Sequence, residues 1–274
     1  MTGRHRTAAV AATLTVVAGA GAAYWSLFSS YSQLLGPFHH RGRTGEKVVA
    51  LTFDDGPNEP YTSQIADILL AASAPATFFQ VGQCARRHPE VTARLLREGH
   101  VIGNHSLTHT MRRCLRHGEQ RQETVATQAI LTGISGRRPA LYRPPWLLRT
   151  PSLFRVLAEQ GLHPVAGVFC HAFEVFQPDP ARIARRALAK VRPGTILIFH
   201  DGFDARGGNR AHTVAAVATV VNTLSDLGYR FVTVDELLGV PAYQDDPDDL
   251  HRSVGDDGPD RRSPVGDSAR KEPL

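Results

Sequence analysis

Cysteine is scarce in this 274-residue chain. The three present, Cys84, Cys114 and Cys170, include no close Cys-x-x-Cys pair, which argues against a cysteine-ligated zinc. Three thiols cannot all pair within one chain; outside the cytoplasm Cys84–Cys114 is the disulfide left open. Internal repeats are lacking too. Gathered positive charge is also missing: the net charge is +5, yet the arginines are spread along helical segments rather than collected on one face. No nucleic-acid partner is therefore expected, whereas attraction to an anionic wall or membrane surface needs no more than this excess.

What is there begins with two short motifs. The apolar run Val48–Phe53 reads as a buried parallel strand, stopped by Asp54-Asp55-Gly56-Pro57 at the C-terminal end where α/β folds place their chemistry. Two adjacent carboxylates repel when buried bare, so a cation or a proton must accompany them. His105 and His109, at i and i+4, would share one face of a helical turn and present two imidazoles to one ion. Either motif alone is commonly a solvated turn or a chance pair. Each following an apolar strand, they together point to a metal site whose two histidines and one carboxylate leave a position open for water, the mark of a catalytic centre.

Further strand ends supply the remaining chemistry. Arg143 follows Ala140-Leu141-Tyr142, and a nearby guanidinium lowers a carboxylate's pKa by roughly one to three units, which would keep Asp54 ionised. His200 ends the run Thr195–Phe199. Metal-assisted hydrolysis needs an activated water, a stabilised oxyanion and a proton for the leaving group. A divalent ion would serve the first two, with Asp54 as base and His200 as acid.

These residues resemble the polysaccharide deacetylases of the NodB-homology type, carbohydrate esterase family 4, over roughly Glu46 to Leu238. Thr52-Phe53-Asp54-Asp55-Gly56-Pro57 matches the family's first motif without a change, and His105-Ser106-Leu107-Thr108-His109 its second. The resemblance implies that Asp54 is the catalytic base, and Asp55, His105 and His109 the metal ligands. Arg143-Pro144-Pro145-Trp146 meets the third motif, with Arg143 orienting the base and the backbone N–H of Trp146 helping to hold the oxyanion. Ile198-Phe199-His200 meets the fifth: His200 becomes the general acid and Ile198 part of the acetyl-methyl pocket.

The fourth motif, an aspartate followed by tryptophan in the family, is missing from Val168–Phe176. Glu174 can stand in for the aspartate, and Phe173 or Phe176 for the tryptophan wall. His171 reads as an exposed loop histidine, with a substrate contact as the alternative. Trp146-Leu147 stands where tyrosine and glycine are common, which implies a bulkier groove floor.

The implied activity is N-deacetylation of an N-acetylglucosamine-containing polysaccharide such as peptidoglycan or chitin oligomers, with a divalent metal as cofactor. Zinc suits the ligands; cobalt, nickel or manganese could occupy them. A non-catalytic glycan-binding homologue, or a hydrolase of a non-glycan amide or ester, are the alternatives.

Strand-like runs at Val48–Phe53, Ala76–Val81, Val101–Ile102, Ala140–Tyr142, Pro164–Phe169, Thr195–Phe199 and Phe231–Val232 alternate with helical patterns. Such alternation predicts a parallel sheet, and chemistry drawn from several strand ends predicts a closed or nearly closed barrel. A core of about two hundred residues is short for eight units. A distorted, TIM-like (β/α)7 barrel, the α/β fold of the resembled family, is expected.

At the N-terminus, Arg4-His5-Arg6 precedes an apolar stretch from Thr7 through Phe28 with small residues near Gly21-Ala22-Ala23. Residues 1–28 thus read as a secretory signal peptide or an N-terminal membrane anchor, with the barrel outside the cell in either case. Residues 29–45 read as a linker, 46–240 as the catalytic domain, and 241–274 as a charged, disordered tail. Oligomeric state is left open.

Overall fold

The computed structural model describes residues 2–244. Eight parallel strands form one sheet: β1 (Val48–Asp54), β2 (Thr77–Gln80), β3 (Val101–Asn104), β4 (Leu141–Tyr142), β5 (His163–Pro164), β6 (Val168–Phe169), β7 (Thr195–His200) and β8 (Arg230–Phe231). Their order is β5-β4-β3-β2-β1-β7-β6, with β8 pairing the start of β1. The helices are α1 (Thr2–Phe28), α2 (Tyr61–Ala71), α3 (Gly82–Arg87), α4 (Pro89–Arg97), α5 (Met111–Cys114), α6 (His117–Ser135), α7 (Pro151–Glu159), α8 (Pro180–Leu188), α9 (Ala211–Asp226) and α10 (Val234–Leu238).

The run expected as one strand over Pro164–Phe169 is split. β5 pairs with β4 and β6 with β7, so the two edges of the sheet are joined by only Val165, Ala166 and Gly167. The sheet therefore curls into the distorted (β/α)7 barrel. Gly167 sits at the join because a Cβ there would lie 2.6 Å from Ile198 Cγ1.

Strand alternation sorts the core into two layers. Val49, Leu51 and Phe53 of β1 join Leu197 and Phe199 of β7 beneath the helices. Val48 and Ala50, with Phe79, Val101, Leu141 and Ile196, fill the barrel floor. The same period turns Thr52 and Asp54 inward above that floor, at the C-terminal mouth.

Residues 29–45 are not a free linker. His39 pairs with Val165 and Arg41 with Thr195, which covers the seam beside β5 and β6. Arg149 is buried; its guanidinium donates to the carbonyls of Ser26 (2.9 Å), Ser29 (2.6 Å) and Ser32 (2.6 Å) and lies 4.5 Å from the Phe38 ring centroid. Those carbonyls include ones freed at the end of α1, which explains why a cation is stationed there.

The expected tail boundary also shifts. Ala242 and Tyr243 are buried in the barrel floor, where the Tyr243 hydroxyl accepts from Ile102 N at 3.1 Å. The domain runs at least through Gln244; the remainder of the expected tail lies outside the described residues. The apolar stretch expected as signal peptide or anchor is helical within α1. Among the described residues, no helix is long and apolar enough to cross a membrane. Cys84, Cys114 and Cys170 are free and buried, so the disulfide left open is not formed.

Candidate active site

Asp54 and His200 are register partners at the ends of neighbouring strands β1 and β7. The turns beyond them are stitched together. Asp54 O accepts from the backbone N–H of Asp201 (3.1 Å) and Gly202 (3.3 Å), while the Asp201 carboxylate accepts from Gly56 N (3.1 Å) and Thr62 Oγ1 (2.6 Å). Gly56 has no room for a Cβ, which would collide with that carboxylate. Burial, with Asp55 and Asp54 nearby, pushes Asp201 up to about 7.

Asp55, with φ of +77°, turns its carboxylate toward two imidazoles. Its Oδ1 lies 3.3 Å from His105 Nε2 and 3.1 Å from His109 Nε2. The histidines do not share a helical turn as expected. They lie on a loop after β3, with positive φ at Ser106 (65°) and His109 (50°). Side chains make that loop: Asn104 Oδ1 accepts from Ser106 N (3.0 Å), Ser106 Oγ from His109 N (3.2 Å), and Glu123 Oε2 from the N–H groups of Leu107 (3.1 Å) and Thr108 (2.7 Å).

The outer nitrogens decide what this trio can hold. His105 Nδ1 lies 2.7 Å from Arg143 O, which can only accept, so the proton sits on Nδ1 and Nε2 offers a lone pair. His109 Nδ1 lies 2.9 Å from Asp204 Oδ1, an ion-pair contact outside hydrogen-bond geometry that favours a proton on the same nitrogen. Two nitrogen lone pairs thus face Asp55 Oδ1, a buried oxygen with no hydrogen-bond donor among the described residues. Lone pairs converging without a donor fit a divalent cation, and the three ligand atoms lie within 4.8 Å of one another. Burial alone would raise the Asp55 pKa, but His109, His105 and His200 outweigh it and hold the carboxyl well below its usual range. Burial likewise lowers His109, yet Asp55 and Asp204 leave it raised.

Beside the trio stands Asp54, whose Oδ1 accepts from Arg143 Nη1 at 2.7 Å. Arg143 is wholly buried, donating also to Thr52 Oγ1 (2.6 Å) and Ala166 O (2.9 Å), and it stacks 4.1 Å over Phe79. Burial lowers its pKa while Asp54 opposes the fall, so the guanidinium stays charged. On the β7 side, His200 Nδ1 lies 2.7 Å from Glu174 Oε2, and Glu174 Oε1 accepts from Thr213. Burial would lower His200, but Glu174 first, then Asp55 and Asp54, push it up to about 9. The imidazole carries a proton at neutral pH.

These groups open into a cleft of about 370 Å³, lined also by Trp146, Leu147 and Phe169. Trp146, with φ of +53°, packs its ring 4.3 Å from that of His109. Phe176 lines the cleft as well, 73 % exposed. His171 is a lining residue of this cleft rather than an exposed loop histidine. Ile198 is fully buried with Phe38, Ala166, Leu147 and Phe169, the last two of which line the cleft in its place. Alternation along β7 explains this: Ile198 points inward like His200, but one layer deeper. Sequence reasoning missed Asp204, Asp201, Thr52 and Glu123. Asp201-Gly202 after a strand and Asn104 before the histidine motif were the available signals.

The family model for polysaccharide deacetylase matches residues 41–165. A peptidoglycan-N-acetylglucosamine deacetylase of Bacillus cereus is 34% identical over 199 residues, covering 70% of this chain and 89% of its own. The chain belongs to the polysaccharide deacetylase family. It is similar also to a chitooligosaccharide deacetylase of Sinorhizobium fredii, at 32% over 196 residues, 69% of this chain and 91% of that one. The crystal structure of the Bc1960 peptidoglycan N-acetylglucosamine deacetylase superposes with a TM-score of 0.68 at 28% identity, covering 74% of this deacetylase and 93% of the other. Members are hydrolases, and the buried Asp55–His105–His109 group of this one is compatible with a divalent metal.

Proposed function

We propose that this deacetylase is exported and removes N-acetyl groups from an N-acetylglucosamine-containing polysaccharide such as peptidoglycan or chitin oligomers. One observation carries the reading: a base tied to Arg143 and a protonated imidazole tied to Glu174 both flank the Asp55–His105–His109 trio in one cleft. The names of the relatives support the substrate class. Arg4-His5-Arg6 ahead of the apolar stretch supports export, by a cleaved signal or with the stretch kept as an anchor. Cleavage near Gly21-Ala22-Ala23 would leave the carbonyls held by Arg149 in place.

Asp55, His105 and His109 would hold the ion, zinc by preference of imidazole and carboxylate donors. A bound divalent ion polarises the acetyl carbonyl and acidifies a water. Asp54, fixed and kept ionised by Arg143, takes the water's proton as oxygen attacks the carbonyl carbon. The backbone N–H of Trp146 meets the oxyanion. His200 gives its proton to nitrogen as the C–N bond breaks, leaving acetate and a free amine. Leu147 and Phe169, backed by Ile198, take up the methyl group.

The test is acetate release by the purified protein from N-acetylglucosamine oligomers and from peptidoglycan, after chelation and after zinc is restored. Release that chelator abolishes and zinc restores is expected. No release from either substrate by folded, zinc-loaded protein would overturn the reading.

A further inference from the structure

A second concavity of about 200 Å³ adjoins the catalytic cleft, lined by His171, Ala172, Phe173, Arg182, Arg186 and Lys190. It shares His171 and Ala172 with the catalytic cleft, so the two are neighbours across a two-residue ridge. Its lining contains three cations and no carboxylate. Among the described residues, the Arg182 and Arg186 side chains make no ion pair or hydrogen bond, and both residues are exposed on α8. Asp179 accepts from Arg182 N at the start of α8, and Glu174 holds His200. Lys190 Nζ donates to Phe169 O at 2.6 Å, and the Phe169 ring stacks on His200 at 6.1 Å. Lys190 is thereby tied to the strand that borders the proposed acid. His171 Nδ1 accepts from Phe173 N (3.0 Å), which leaves Nε2–H as a donor. Burial and then the Arg182, Arg186 and Lys190 charges lower its pKa.

Unpaired arginines converging in a hollow recognise carboxylate or phosphate oxygens. We propose that this cleft binds an anionic substituent, carboxylate or phosphate, on the acetylated glycan beside the sugar being deacetylated. The inference rests on the deacetylase reading and narrows its substrate to a negatively charged polymer. Phe173, 62 % exposed on the same rim, offers a face against which a sugar ring can stack.

The test compares the zinc-loaded wild-type chain with Arg182→Ala/Arg186→Ala and with Arg182→Lys/Arg186→Lys. Substrates are neutral N-acetylglucosamine oligomers, peptidoglycan strands with free carboxylates, the same strands amidated, and strands before and after hydrofluoric acid removes phosphodiester-linked polymer. The alanine pair should raise KM on the anionic strands by about fivefold or more, since exposed ion pairs contribute modestly and add. The lysine pair should retain most of the affinity. Added salt should weaken the wild type in the same direction, and kinetics on neutral oligomers should be unchanged. Loss of the preference on amidation assigns it to carboxylate; loss only on hydrofluoric acid treatment assigns it to phosphate. Equal KM values for wild type and the alanine pair on every anionic strand would overturn the proposal. Should the wild type release acetate from no substrate, the deacetylase reading falls and binding of the anionic strands decides. Weaker binding by the alanine pair then supports the subsite, and equal binding overturns it.

Discussion

Replacing Glu174 by glutamine separates charge from shape at the proposed acid. Glutamine keeps the length of the side chain, and its oxygen can accept from His200 Nδ1 while its NH2 donates to Thr213 Oγ1, but the negative charge 2.7 Å from the imidazole is gone. In the wild type His200 is pushed up to about 9. The gap from the ordinary 6.5 corresponds to about 3 kcal/mol favouring the protonated form, of which Glu174 is the largest favourable source. Removing an adjacent opposite charge typically lowers such a pKa by about one to three units. The alkaline limb of the pH–rate profile should therefore move from near 9 toward neutrality, and turnover at pH 8 should fall by about tenfold as the acid form empties. Stability follows the same sign. Because the folded pKa lies above 6.5, the His200 contribution is fully present below that pH and is lost as pH rises through about 9; the glutamine variant should lose much of it below that point and differ little above it. The assay is kcat against pH, paired with an NMR titration of the His200 ring in metal-free protein. An alkaline limb and an imidazole pKa both unmoved in Glu174→Gln would refute the reasoning.

Asp54→Asn should retain metal and the hydrogen bond to Arg143 yet lose turnover by about 10²- to 10⁴-fold, whereas His105→Ala should lose both; metal content and acetate release measured side by side decide. A wild-type rate from Asp54→Asn would remove Asp54 from the role of base. Asp204→Asn, which weakens the partner favouring the His109 tautomer, should loosen metal binding by about 10- to 100-fold in a competition titration with a coloured chelator. Unchanged affinity would make the Asp204 contact incidental. Tyr243→Ala should cost about 3–4 kcal/mol in urea unfolding, since it empties the barrel floor and leaves Ile102 N without its acceptor. A loss below about 1 kcal/mol would return residues 241–244 to the tail.

Much of this molecule was legible because strand ends announce themselves. An apolar run halted by Asp-Asp-Gly-Pro, or by a lone histidine, fixes both the element and the direction of the chain, and alternation then fixes which side chains face inward. Where the pattern is short, it misleads. Pro164–Phe169 reads as one strand because apolar residues alone cannot show that Gly167 has room only for hydrogen beside Ile198, and that the chain changes sheet edge there. The i, i+4 spacing of His105 and His109 fits a helix equally well, but the bonds from Asn104, Ser106 and Glu123 offer the backbone another solution. Glu123 comes from α6, and no local pattern could have announced it. The same holds for Arg149, whose three carbonyl partners lie more than a hundred residues earlier and turn an apparent linker into part of the barrel wall.

The charges of the site explain why a divalent ion would belong at Asp55, His105 and His109. Asp54, Asp55, Glu174 and Asp201 are buried carboxylates: Asp201 accepts from Gly56 N and Thr62 Oγ1, Asp54 faces the buried Arg143 and Glu174 the partly buried His200, the last two pairs each at 2.7 Å. Asp55 is the carboxylate left over. Its immediate neighbours are two imidazoles whose protons are committed elsewhere, to Arg143 O and Asp204, so neither brings a hydrogen to its Oδ1. Its Oδ2 accepts from Asp204 N at 3.3 Å, but a buried, ionised oxygen left without a donor is costly in a protein interior. A divalent ion removes the deficit at that one oxygen without disturbing the pairs on either side. This also sets the order of sensitivity: changes at Asp55 and the histidines should act through metal affinity, while changes at Arg143 and Glu174 should act through the pKa of the group each one holds.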